Sequence, residues 1–185
     1  MCGIAGIIDT SKDYSNFLDD INKMLCVLSH RGPDANGYEI LQDKNLCFGH
    51  TRLSILDLSQ TGSQPMWSKC KNYLITFNGE IYNHLSIKKK IDKLKNYSFK
   101  WRGTSDTEVL LEAFSTFGFE ETINLIKGMY AFAIFDKRLN KIFLARDRMG
   151  EKPLYFSKIS GRLLFASELN AIKRIVSKDN LSIKE

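Results

Sequence analysis

The heptapeptide Met129-Tyr-Ala-Phe-Ala-Ile-Phe135 is almost unbroken in apolarity, a pattern that suits a β-strand covered on both faces. Shorter apolar runs read as further strands over Gly3–Ile8, Gly37–Leu41, Leu46–Thr51, Tyr73–Phe77, Lys141–Arg146, Leu154–Ser157 and Leu163–Ala166. Ser160-Gly161 supplies a hairpin turn between the last two. Helical spacing appears in Phe17, Ile21, Met24, Leu25 and Leu28, a stripe that should stop before His30-Arg-Gly-Pro33 because proline disfavours helix in the residue before it. A second helix starts at Ser105, where Ser105-x-x-Glu108 reads as a capping box and Val109, Leu110, Ala113, Phe114 and Phe117 continue the buried face. Strands arrive in runs with hairpin-length gaps and helices fall between them. The expected class is therefore α+β, antiparallel sheet with layered helices, rather than regular βαβ alternation.

A chain of 185 residues with 43% hydrophobic and 26% charged residues fits one globular domain. It has no run of about 18 apolar residues, so no membrane span is expected. Its opening lacks the basic start of a secretory signal, with no basic residue before Lys12, and a cytoplasmic protein is expected. Cys2, Cys26, Cys47 and Cys70 lie far apart and the three histidines show no ligand spacing, which argues against a disulfide framework or a metal site. The net charge of +6 raises nucleic acid as a partner, but much of the excess sits between Ile87 and Lys95. There Ile87, Ile91 and Leu94 recur at helical spacing and leave the lysines on a solvated face, so nucleic-acid binding is not expected.

Chemistry concentrates at Cys2. Removal of Met1 by an aminopeptidase, which acts when the next side chain is small, would leave a thiol and an α-amine on one residue. An α-amine ionises at about 7.7–8.0 and a thiol at about 8.5, so a free amine can take the thiol proton. With Met1 attached that amine is an amide, and a non-catalytic binding module becomes the alternative. Asn78-Gly79, between Tyr73–Phe77 and Ile81-Tyr82, reads first as a hairpin turn. A turn of this kind can present an amide side chain and an open backbone N–H together, the two donors a tetrahedral oxyanion requires. Arg52, at the end of a strand, could pair with a carboxylate. Asp106, in the first turn of its helix, could complement the helix dipole or face an ammonium group.

These residues lie inside Met1-Cys-Gly-Ile-Ala-Gly6, Ser29-His-Arg-Gly-Pro-Asp34, Gly49-His-Thr-Arg-Leu-Ser-Ile55, Gln64-Pro-Met66, Phe77-Asn-Gly-Glu-Ile-Tyr-Asn83, Gly103-Thr-Ser-Asp106, Gly128-Met-Tyr-Ala-Phe-Ala133, Ala145-Arg-Asp-Arg-Met-Gly150, Lys152-Pro-Leu-Tyr155 and Ala166-Ser-Glu168. Taken together, and in this order, they resemble the N-terminal glutaminase domain of glutamine-dependent asparagine synthetases, which are class II glutamine amidotransferases. Arg52-Leu-Ser-Ile55 resembles that branch rather than the Arg-Trp-Ala-Thr of the sugar-phosphate and phosphoribosyl enzymes.

The resemblance implies an N-terminal nucleophile hydrolase fold, an αββα four-layer sandwich of two antiparallel sheets, over residues 1–180. It implies Cys2 as nucleophile, with its own amine as base, and Asn78 and Gly79 as the oxyanion hole. Glutamine would be bound by Arg52, Leu53, Ser54, Ile55, Leu56, Asn78, Gly79, Glu80 and Asp106, with Arg52 on the α-carboxylate and Asp106, helped by Glu80, on the α-ammonium. No metal or cofactor is expected in this chain; ATP and Mg belong to a synthetase domain that nothing here resembles. Residues 181–185 would begin the linker to that domain, or the domain would be a separate partner. The ammonia acceptor is expected to be aspartate, with another carboxylate such as a sugar acid as the alternative. Quaternary state is open, a homodimer included.

Overall fold

The strand pattern folds as expected in kind, with longer strands than the apolar runs alone suggest. In chain order the elements are β1 (Gly3–Asp9), α1 (Phe17–Leu28), β2 (Ala35–Leu41), β3 (Leu46–Arg52), β4 (Met66–Trp67), β5 (Tyr73–Ile81), α2 (His84–Leu94), α3 (Asp106–Phe117), α4 (Phe119–Leu125), β6 (Gly128–Asp136), β7 (Lys141–Arg146), β8 (Tyr155–Ile159), β9 (Arg162–Ala166) and α5 (Leu169–Lys173). The structure, a computed structural model, describes residues 1–10, 16–53 and 60–176. Residues 181–185 thus lie outside the described residues. The chain divides into two compact units, residues 1–53 with 153–185, and residues 54–152.

The first unit carries an antiparallel sheet of order β2-β3-β1-β9-β8. β1 lies at its centre, with Gly3 opposite Thr51 on one side and Ala5 opposite Ala166 on the other. All five apolar residues of the α1 stripe are buried, and they pack with Ala5, Ile7, Cys47, Leu164 and Ile172. The helix stops at Leu28 as the following Gly32-Pro33 requires, and a short 3₁₀ turn, Ser29–Arg31, leads out of it. Ser160 and Gly161 both adopt positive φ, 49° and 75°, the conformation of a two-residue turn matched to strand twist, and they close the β8–β9 hairpin.

The second unit carries the antiparallel sheet β4-β5-β6-β7. β6 is buried from Tyr130 through Asp136, as its apolar run predicted, and Tyr130, Phe132 and Ile134 pack with residues of α2 and α3. Ser105 caps α3 by accepting the Glu108 N–H at 3.1 Å. The other half of the expected capping box is replaced: the Glu108 carboxylate accepts the N–H groups of Arg102 and Gly103, fixing the approach to the helix. In α2, Ile87 and Ile91 are buried but Leu94 is 63% exposed at the helix end, so the expected stripe is one turn shorter than its spacing suggested. The two-residue β4 and the short helices α4 and α5 are too brief to leave a periodic signal.

Asn78-Gly79 is not a turn. Both residues lie inside β5, opposite Ala131 and Tyr130 of β6. A Cβ on Gly79 would lie 2.3 Å from the Met129 carbonyl oxygen and 2.8 Å from the Tyr130 Cα, so the glycine serves close backbone approach, and strand pairing overrides the local turn preference. Gly79→Ala is expected to push the two strands apart and to cost about 1–3 kcal/mol, read as a lower urea midpoint at unchanged slope.

Candidate active site

In the first unit β1 brings Cys2 to the end of the strand ladder, beside the end of β3. The Cys2 thiol is half-buried; its Sγ accepts the Leu53 N–H at 3.4 Å and lies 3.6 Å from the Leu53 carbonyl oxygen. Arg52, the last residue of β3, is 9% exposed. Its backbone is gripped from the other side, where its carbonyl oxygen accepts the Asp34 N–H at 3.0 Å and Pro33 forms a parallel bridge to it. Gly32 makes this approach possible, since a Cβ there would lie 2.5 Å from the Arg52 nitrogen. Cys2, Arg52 and Leu53 are therefore gathered in one place, while Ser54, Ile55 and Leu56 lie outside the described residues.

The other cysteine environments differ from that of Cys2. Burial pushes the Cys47 thiol up to about 12, with Glu39 adding to the effect, which leaves it protonated and inert. Cys26 and Cys70 are exposed.

In the second unit the ladder alternates, and residues 77, 79 and 81 of β5 turn their N–H groups to the edge away from β6. Side chains take the outer two of these groups. Gln64 Oε1 accepts from Phe77 at 2.7 Å, and Asp106 Oδ2 accepts from Ile81 at 2.9 Å. Gly79 N–H faces the same edge between them, where β4 does not reach, because β4 pairs only with Leu74 and Ile75. Next to it the Asn78 side chain is 2% exposed, and its Nδ2 is buried with no hydrogen-bond partner among the described residues. Glu80 and Asp106 complete this group. Burial pushes the Asp106 carboxyl above its ordinary value and Glu80 adds to this, against the Ile81 and Thr107 N–H groups and His84, which favour the charged form. The predicted residues thus fall into two groups, Cys2, Arg52 and Leu53 in one unit and Asn78, Gly79, Glu80 and Asp106 in the other.

A family model for the glutamine amidotransferase domain matches residues 1–183. The chain belongs to this family. Asparagine synthetase (glutamine-hydrolysing) 1 of Bacillus subtilis is 36% identical over 99% of the amidotransferase chain, and asparagine synthetase (glutamine-hydrolysing) 2 of Arabidopsis thaliana is 38% identical over 93% of it. The chain spans 28% of the length of each. The solved glutamine phosphoribosylpyrophosphate amidotransferase of Bacillus subtilis aligns over 93% of this chain and 43% of its own, with a TM-score of 0.74 at 21% identity. The fold is thus α+β with two antiparallel sheets, as the sequence led us to expect, and it is shared with this solved amidotransferase.

Three residues that frame Cys2 were quoted within the sequence motifs without a role. Arg31 Nε donates to the Cys2 carbonyl oxygen at 3.0 Å, and Arg31 Nη1 donates to Glu168 at 3.1 Å. Ser167 Oγ accepts the Ile4 N–H at 3.0 Å. Arg31 and Glu168 are 137 positions apart, and no periodicity or spacing announces such a pair. Among the described residues, no group of three or more His, Cys, Asp or Glu side chains could hold a metal ion, and no helix is long and apolar enough to cross a membrane.

Proposed function

We propose that the amidotransferase domain hydrolyses glutamine to glutamate and ammonia, with Cys2 as the nucleophile and its own α-amine, freed by loss of Met1, as the base. The observation that carries this reading is the buried Asn78 Nδ2, without a hydrogen-bond partner among the described residues, next to the edge N–H of Gly79. A buried donor without a partner costs about 1–3 kcal/mol, a cost that has a purpose where an anionic oxygen is to be received. The Cys2 thiolate attacks the side-chain amide carbon, and the oxyanion takes its hydrogen bonds from Asn78 Nδ2 and Gly79 N–H. The C–N bond then breaks as the protonated amine returns its proton to the leaving ammonia. Water, deprotonated by the same amine, hydrolyses the γ-glutamyl thioester and regenerates the thiol. Arg52 pairs with the substrate α-carboxylate, Leu53 lies beside the substrate, and Asp106 with Glu80 receives the α-ammonium. Glutamate production by the purified chain, with intact mass confirming loss of Met1, tests the reading; a Met1-free chain that makes no glutamate would sink it.

Asp106→Asn is expected to raise KM for glutamine by about 10–100-fold while kcat changes far less, because a charge-assisted hydrogen bond contributes about 1.5–3 kcal/mol to binding. Only the carboxylate form attracts the ammonium, and burial raises the pKa of this group. KM in the parent domain should therefore climb as pH falls, starting above the ordinary carboxylate range, and this limb should vanish in Asp106→Asn. A steady-state pH series from 4.5 to about 8 measures both.

The ammonia is proposed to serve asparagine formation from aspartate in a cytoplasmic enzyme, in an ATP- and Mg-dependent synthetase portion. The named relatives and their greater length support this.

A further inference from the structure

Beyond Ile75, β5 has a strand on one side only. β4 pairs with Leu74 and Ile75 and goes no further, while β6 runs beside β5 as far as Ile81. Along the rest of the open edge, side chains hold the strand. Gln64 Oε1 accepts the Phe77 N–H at 2.7 Å, and Asp106 Oδ2 accepts the Ile81 N–H at 2.9 Å. Gly79 N–H, which the proposed oxyanion takes, stands midway between these two ties. A backbone strand in place of Gln64 would have continued to Gly79 and taken its N–H into the ladder. A side chain covers one amide and stops. The Gln64 amide is itself held. It is half-buried, and its Nε2 donates at 3.4 Å to Oγ1 of Thr107, a buried residue in the first turn of α3 next to Asp106. Gln64 and Asp106 thus fasten the same stretch of β5 to the same helical turn, one on each side of the oxyanion donors. The peptide unit joining Asn78 to Gly79 carries one donor in its plane and the other on the preceding Cα. Its tilt at the open edge is therefore set by the ties at positions 77 and 81.

We infer that Gln64, oriented by Thr107, is a positioning residue for the oxyanion donors, acting through the Phe77 N–H. The inference rests on the glutaminase reading above. Gln64 touches neither substrate nor thiol in this role; it aims Gly79 N–H and Asn78 Nδ2 at the place where negative charge develops. Loss of a whole oxyanion donor costs on the order of 10²–10³-fold in rate, so a donor pair that is merely loosened should cost less.

In the Met1-free chain, Gln64→Met, which keeps the length of the side chain but not its amide, is expected to lower kcat for glutamine hydrolysis by about 10–50-fold. KM should stay within about threefold, the signature of an interaction that matters in the transition state rather than in binding. In an Asn78→Ala background the same substitution should lower kcat by no more than about threefold, because one of the donors it aims is already gone. Thr107→Val, which removes the partner of Gln64 Nε2, should lower kcat by about 3–10-fold, and Thr107→Ser, which keeps the hydroxyl, should recover most of the rate. Ser68→Ala is the control. Ser68 Oγ accepts the Tyr73 N–H at 3.1 Å, the same kind of tie on the same edge but six residues from Gly79. That variant should stay within about twofold of the parent kcat, since the tie at Phe77 persists. Parent-like kcat in Gln64→Met, an equal loss in Ser68→Ala, or the full loss from Gln64→Met in the Asn78→Ala background would overturn the inference. If Gln64→Met does not fold, the Thr107 pair decides alone, and equal rates in Thr107→Val and Thr107→Ser would overturn it. An inactive parent chain would instead remove the glutaminase reading.

Discussion

Cys2→Ala is expected to reduce glutamine hydrolysis by on the order of 10⁶-fold in kcat, the scale seen when a hydrolase loses a nucleophile that acts as one unit with its base. Alanine removes the sulfur that forms the thioester but leaves the α-amine, the Cys2 carbonyl and its bond from Arg31 intact. Glutamine should therefore still bind, and calorimetric titration should give a Kd near that of the parent. A chain that retains Met1 should be as inactive as the variant, because the base is then an amide nitrogen, and treatment with methionine aminopeptidase should restore its rate. Equal turnover by Cys2→Ala and the parent would remove Cys2 from the mechanism. Cys47 offers no substitute, since burial keeps its thiol protonated.

Asn78→Ala is expected to lower kcat by on the order of 10²–10³-fold, equivalent to about 2.7–4 kcal/mol of transition-state stabilisation from one oxyanion donor. Its effect on stability should have a different character. The Asn78 Nδ2 has no partner among the described residues, so removing it relieves an unsatisfied buried donor, which offsets much of the packing lost with the side chain. Rate and stability should therefore separate: a large fall in kcat with a urea midpoint close to the parent's. A fold-maintaining asparagine would show the reverse, with unfolding near the parent rate of hydrolysis, and that result would sink the oxyanion role.

The amino-acid sequence by itself determined the elements with a strong period and the family. The α1 stripe, the Ser105 cap, the Ser160-Gly161 turn and the unbroken apolar run of β6 each follow from local preference, and tertiary structure agrees with them. Cys2 after Met1, with Asn78, Gly79, Arg52 and Asp106 in motif order, named the family before any geometry was known. Tertiary structure decided what local preference misread. Asn78-Gly79 carries a turn signal yet stands within β5, because pairing with β6 needs a residue without a Cβ at position 79. Leu94 has the right spacing for burial but lies at the last turn of α2, beyond the packed face. Long-range pairing also decided which β5 amides are claimed by Gln64 and Asp106, and which donor in Asn78 is left without a partner among the described residues. The grip of Arg31 and Glu168 on Cys2 belongs to the same class. Its partners meet only when β1, the turn after α1 and the end of β9 have been assembled, so no local feature of the chain could announce it.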